Sequence, residues 1–167
     1  MLNAGGVVVI PTDTVYGLAA HPRFSDSVER LFTIKGRDSG KKIALLASDV
    51  AAIESFGFNL SEKAEKLAAK HWPGALTMVL GDEGFRIPNY DWTRELIAKC
   101  GGVLRVTSAN ISGGCPATDA PQALSDVGLS ADLVIDDGIS PGGIASTVVR
   151  VLEDGEIEVL RKGAIEI

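Results

Sequence analysis

Cysteine and histidine are scarce in this 167-residue sequence, two of each, and that scarcity excludes several chemistries at once. Cys100 and Cys115 form neither a Cys-x-x-Cys pair nor a disulfide framework, which fits a reducing, cytoplasmic setting. No His/Cys spacing matches a zinc site, so no resident metal is expected. His21 and His71 stand beside Pro22 and Trp72 without an evident partner and read as packing or surface residues. No Gly-x-Ser-x-Gly elbow is present. Basic charge is also short: 16 Lys and Arg face 22 Asp and Glu, for a net charge of −6, which argues against a general nucleic-acid binder. No apolar run approaches the ~20 residues of a membrane-spanning helix. The run Gly5–Ile10 lacks the basic flank and the length of a secretion signal, so Asn110-Ile111-Ser112 is an accidental glycosylation sequon.

What is present reads as one globular α/β domain over residues 1–167, with 46% hydrophobic and 23% charged residues. The 19 glycines fall at element ends rather than in a repeat. Apolar, β-branched runs predict strands at Gly6–Pro11, Ile43–Ala47, Leu76–Leu80, Val103–Thr107, Leu133–Asp136, Thr147–Leu152 and Ile157–Leu160. Helical spacing predicts helices at Ser25–Lys35, Ser61–His71 and Asp91–Cys100, with a short one opened by Asp119 and Pro121. Asp26 and Glu29 suggest a capping box for the first helix, and Gly36 its stop. Strands alternating with helices imply some parallel pairing, while Asp154-Gly155 predicts a C-terminal hairpin, so the sheet should be mixed.

Two features ask for a chemical explanation. The first is basic: Lys35, Arg37, Lys41 and Lys42 lie within eight residues of an acidic chain. Gly36-x-x-x-Gly40-Lys41 is not a Walker loop, because it is one residue short, follows a helix, and has Lys42 where a magnesium-binding hydroxyl belongs. A solvated helix end would account for Lys35 alone. The whole cluster reads better as an anion site, since Arg offers a fork and Lys a point charge. The second feature is polar: three strand ends carry small hydroxyls, at Thr12 and Thr14, at Thr107 and Ser108 with Asn110, and at Ser146 with Thr147. Singly each is an ordinary cap or turn. Together they suggest a crevice at strand ends for an anionic ligand. Arg86 is either a surface residue or a carboxylate clamp.

Seven stretches in order carry a resemblance: Pro11–Leu18 (PTDTVYGL), Lys35–Arg37 (KGR), His71–Leu80 (HWPGALTMVL), Phe85–Pro88 (FRIP), Thr107–Gly113 (TSANISG), Ser146–Val149 (STVV) and Leu160–Ile165 (LRKGAI). With these the chain resembles the YrdC-like threonylcarbamoyl-adenylate synthases. The resemblance implies a twisted mixed sheet with flanking helices around a concave cavity. It also implies an enzyme that joins L-threonine, bicarbonate and ATP, with Mg²⁺, into threonylcarbamoyl-adenylate and pyrophosphate. A tRNA-modifying threonylcarbamoyl transferase would consume the product in making t6A. By matching positions, Lys35 and Arg37 act on the phosphates, with Ser108, Asn110 and Arg161 completing the ATP site. Thr12, Thr14, Arg86 and Ser146 surround threonine. Lys35→Ala and Arg161→Ala are expected to weaken ATP binding and spare the fold.

The chain departs from the family pattern at several points. Only ten residues precede Pro11, where relatives carry a helix. Asp38 replaces the proline after KGR, and the stretch between Leu80 and Arg86 is shortened to GDEGF. That stretch sets Asp82 where a threonine is usual, and Lys41 or Lys42 would offset the added acids. Two other readings are a YrdC-like enzyme with another acceptor amine, and a non-catalytic module with weak RNA or ribosome-precursor binding.

Overall fold

A computed structural model describes residues 1–36, 40, 42–152 and 156–167. Among the described residues nine strands form one mixed sheet: β1 (Val8–Ile10), β2 (Gly17–Ala20), β3 (Leu45–Ala47), β4 (Leu76–Leu80), β5 (Glu83–Arg86), β6 (Val103–Ser108), β7 (Leu133–Val134), β8 (Thr147–Val151) and β9 (Ile157–Arg161). The order across the sheet is β7-β1-β2-β6-β3-β5-β4-β8-β9. β1 with β7, β3 with β5, and β4 with β8 run parallel, and the remaining neighbours are antiparallel. The helices are α1 (Ser25–Lys35), α2 (Val50–Ser55), α3 (Glu62–His71), α4 (Asp91–Lys99) and α5 (Ala120–Asp126). A short 3-10 turn at Leu2–Ala4 precedes the first strand.

The sequence missed two strands and one α-helix, each for a local reason. β2 is buried on both faces, so Gly17–Ala20 shows no alternation to read. β5 follows a two-residue loop, Gly81-Asp82, in which Gly81 takes the left-handed φ of +58°. The short GDEGF stretch is therefore a hairpin rather than a trimmed loop. α2 is only six residues long, started by the Asp49 carboxylate accepting from the Ala52 N–H at 2.8 Å. The capping box expected for α1 is absent: Phe24 is its N-cap, with no side-chain cap. Gly36 ends that helix at φ +58°, and Asp119 caps α5. β8 and β9 pair as the expected hairpin, whose Asp154-Gly155 turn lies outside the described residues.

Strand periodicity decides where a cavity can form. Leu45, Leu76, Met78, Phe85 and Val149 turn one sheet face onto α2 and α3. At the other end of the sheet, Val7, Val9 and Leu18 pack with α1 and α5. Val8, Ile10, Leu46 and Leu104 face the opposite way and pack with Ile97 of α4. The alternating positions Thr77, Val79, Gly84, Arg86, Val148 and Arg150 point away from α2 and α3. They line a hollow instead of a core.

Asp132 ties β1 to α1. It accepts from the Val7 N–H at 2.7 Å and from both arms of Arg30 at 2.8 and 3.1 Å. The Arg30 hydrogen bond, followed by that of Val7, holds its carboxyl below the ordinary value. A lowered folded pKa stabilises the fold above the unfolded value, and the gain is lost as acid protonates the group. Both side chains are over a third exposed, so the effect is screened. Asp132→Asn should cost about 1 kcal/mol at pH 7. Urea unfolding of the two proteins at pH 7 and in acid checks this, with the gap shrinking as pH falls.

Candidate active site

The hollow is a cavity of about 430 Å³ bounded by strand ends and their loops. Six of the residues expected around threonine and ATP from the sequence line it together: Thr12, Thr14, Arg86, Ser108, Ser146 and Arg161. Arg37 lies outside the described residues.

Arg86 is buried, at 6% exposed. Its Nε donates to the Gly74 carbonyl at 3.0 Å and its Nη1 to Thr14 Oγ1 at 2.8 Å, while Nη2 pairs with Asp13. The Trp72-Pro73-Gly74 turn and the PTDT stretch thus converge on one guanidinium. Burial pulls the Arg86 pKa down and the Asp13 charge opposes it, so the group stays a cation. That removes one of the sequence alternatives for Arg86: it is no surface residue. Asp13 was missed, because nothing local in the sequence marks it as the partner of a residue 73 positions away. Thr12 shapes the turn, donating to the Val15 carbonyl at 2.7 Å and accepting from the N–H of Thr14 at 3.2 Å.

Another part of the cavity lining is built from the C-terminal hairpin. Arg161 Nη2 donates to the Ser146 carbonyl at 2.8 Å, and the Ser146 and Thr77 hydroxyls lie 2.8 Å apart. Thr147 Oγ1 accepts from the N–H groups of Gly163 at 3.1 Å and Ile165 at 3.2 Å, pinning the tail that follows Arg161. Gly163 is required by this contact, since a Cβ there would lie 2.4 Å from backbone atoms of Ala145 and Ser146. Gly163→Ala should cost about 2 kcal/mol through that clash, read as a fall in thermal midpoint.

Lys35 and Asn110 are placed differently from the sequence expectation. Neither side chain is among the described residues that line the cavity. Lys35 is 3% exposed. Its Nζ donates to the Asn110 carbonyl at 2.6 Å and to the Ser108 carbonyl, with the hydroxyl of Ser108 and the amide oxygen of Asn110 at 3.4 Å. Asn110 Nδ2 donates to the carbonyls of Ile111 at 2.8 Å and Gly114 at 2.9 Å, so it folds the TSANISGG turn. In this state the lysine braces the strand end beneath the cavity wall, with its positive charge directly behind Ser108.

His21 and His71 do not line the cavity, and burial pushes both pKa values down. His21 packs edge-on against Phe24, as a structural residue would. Among the described residues no group of three or more His, Cys, Asp or Glu could hold a metal ion. Lys42 pairs with Asp82 at 2.5 Å, the offset that the sequence suggested for that acid. Also among the described residues, no helix is long and apolar enough to cross a membrane.

A mixed sheet whose strand ends gather a buried arginine, further cations and hydroxyls around an open cavity is the architecture of a YrdC-like protein. The chain belongs to the Sua5/YciO/YrdC family, whose profile, described as "Telomere recombination", matches residues 1–163. A Mycobacterium tuberculosis relative is 35% identical over 178 residues, spanning 98% of this chain and 81% of its own. The threonylcarbamoyl-AMP synthase of Bacillus subtilis is 31% identical across 99% of this chain, which spans 52% of that protein. The crystal structure of P. abyssi Sua5 complexed with L-threonine superposes with a TM-score of 0.90 at 31% identity, over 97% of this chain and 52% of the other. The chain thus spans about half the length of these last two.

Proposed function

We propose that this protein is an L-threonylcarbamoyl-adenylate synthase, acting in the cytoplasm. It uses L-threonine, bicarbonate and ATP, and its product serves a transferase that forms t6A in tRNA. The observation that carries this reading is the buried Arg86, fixed on three sides and lining a cavity that Arg161 and Ser146 also line.

Bicarbonate releases hydroxide as CO₂ forms; the threonine amine adds to the CO₂ carbon, giving an N-carboxylate, and the proton it loses leaves with that hydroxide as water. An oxygen of that carbamate then attacks the α-phosphorus. The bond from that phosphorus to the bridging oxygen breaks, and pyrophosphate leaves with the electron pair. Charge moves onto pyrophosphate, so fixed cations and orientation can carry the catalysis without a side-chain nucleophile. Arg86 takes the threonine carboxylate, and the Thr12, Thr14 and Ser146 hydroxyls orient the amino acid. Arg161, Ser108 and the charge of Lys35 behind it serve the phosphates, with Arg37 assigned to the same task by its motif.

Mg²⁺ belongs with the nucleotide in this scheme. The cavity offers no cluster of three ligating side chains among the described residues, which suits an ion held mainly by phosphate oxygens. It would neutralise charge on the departing pyrophosphate.

The test is pyrophosphate release from ATP·Mg²⁺ with each co-substrate omitted in turn. Release that needs both threonine and bicarbonate supports the synthase. Release with another amine in place of threonine would move the assignment to a different acceptor, and no ATP binding at all would leave a non-catalytic module.

A further inference from the structure

Among the described residues lining the cavity, Asp82 is the one carboxylate, against four cations: Lys42, Arg86, Arg150 and Arg161. It sits in the tight β4–β5 turn and receives Lys42 Nζ at 2.5 Å. Glu83, next to it, lies 3.7 Å from the same ammonium and is itself gripped by Arg105 at 2.5 and 3.0 Å. The Lys42 and Asp82 side chains are 54% and 77% exposed, so their pair is weak and readily exchanged. The buried Arg86–Asp13 pair is the opposite case, fixed in place.

We propose that Lys42 is an additional polyphosphate contact, passed from Asp82 to the terminal phosphates of ATP, and that it sets the preference for triphosphate over monophosphate nucleotide. This rests on reading the cavity as an ATP site. A triphosphate brings several charges and out-competes one exposed carboxylate for the ammonium. AMP lacks the phosphates that reach this wall and leaves the pair closed. Asp82 gives up its partner cheaply because it turns to water, and it retakes the lysine as pyrophosphate departs. Glu83 keeps Lys42 near the mouth throughout.

The two residues therefore act with opposite signs, which a purely structural ion pair would not do. Binding of a non-hydrolysable ATP analogue and of AMP, each with Mg²⁺, is measured by calorimetry for wild type, Lys42→Ala and Asp82→Asn. Lys42→Ala should weaken the analogue about tenfold and leave AMP within about twofold. Asp82→Asn should tighten the analogue about threefold by removing a carboxylate that competes with phosphate for the ammonium. Thermal midpoints of both variants should stay near that of wild type. Shifts of the same sign in both variants, or equal losses for the analogue and AMP in Lys42→Ala, would overturn the proposal. An unchanged analogue affinity in Lys42→Ala overturns this proposal alone. Absence of nucleotide binding in the wild type overturns it together with the reading on which it rests.

Discussion

Arg86→Met should lower threonine-dependent pyrophosphate release by about a thousandfold, the largest effect expected of any single change in the cavity. The methionine keeps most of the apolar stem and removes a guanidinium that donates to Gly74 and Thr14 and pairs with Asp13. It also strands Asp13, a carboxylate only 10% exposed, at a cost to stability of about 3 kcal/mol. The two losses are separable. Asp13→Asn combined with Arg86→Met removes the stranded charge and should recover most of the thermal midpoint, while activity stays lost. Arg86→Lys keeps charge without the fork, so it should bind threonine weakly and fold better than Arg86→Met. Recovery of activity in the double variant would show that Arg86 serves the fold and not the substrate.

Lys35→Met comes next, and here the structure changes the expectation. From its motif Lys35 is a phosphate ligand whose loss spares the fold. In the molecule its ammonium donates to the carbonyls of Ser108 and Asn110, joining the end of α1 to the TSANISGG turn. Removing it leaves buried acceptors behind, at about 3 kcal/mol in all. The same change withdraws a positive charge from behind Ser108, so ATP affinity should fall at least about tenfold even at temperatures where the variant is folded. The measurement is nucleotide affinity well below the variant's thermal midpoint. A destabilised variant with wild-type ATP affinity would assign Lys35 to bracing alone.

Most of the sheet was legible because its strands are apolar runs bounded by glycine, and α1, α3 and α4 were legible from their apolar spacing. The alternation that makes the cavity was also present, in Thr77, Val79, Gly84, Arg86, Val148 and Arg150, but only the strand order tells which face lacks a helix. The motifs named the cavity residues well where a side chain acts on the space in front of it, as with Thr14, Ser146 and Arg161. They were less informative for residues acting through others. Asp13 and Thr77 touch Arg86 and Ser146, across 73 and 69 positions, and such pairings arise only on folding. Asn110 folds its own turn here, and a turn-forming amide and a ligand-binding amide have the same local signature.

Carbon-13 NMR of a reaction supplied with labelled bicarbonate, L-threonine and ATP·Mg²⁺ tests the central claim most directly. The account predicts a labelled carbamoyl carbon in a species that contains both threonine and adenylate, formed in step with pyrophosphate. Pyrophosphate appearing without label in any threonine adduct, or a folded, ATP-binding protein that forms no labelled adenylate, would contradict it.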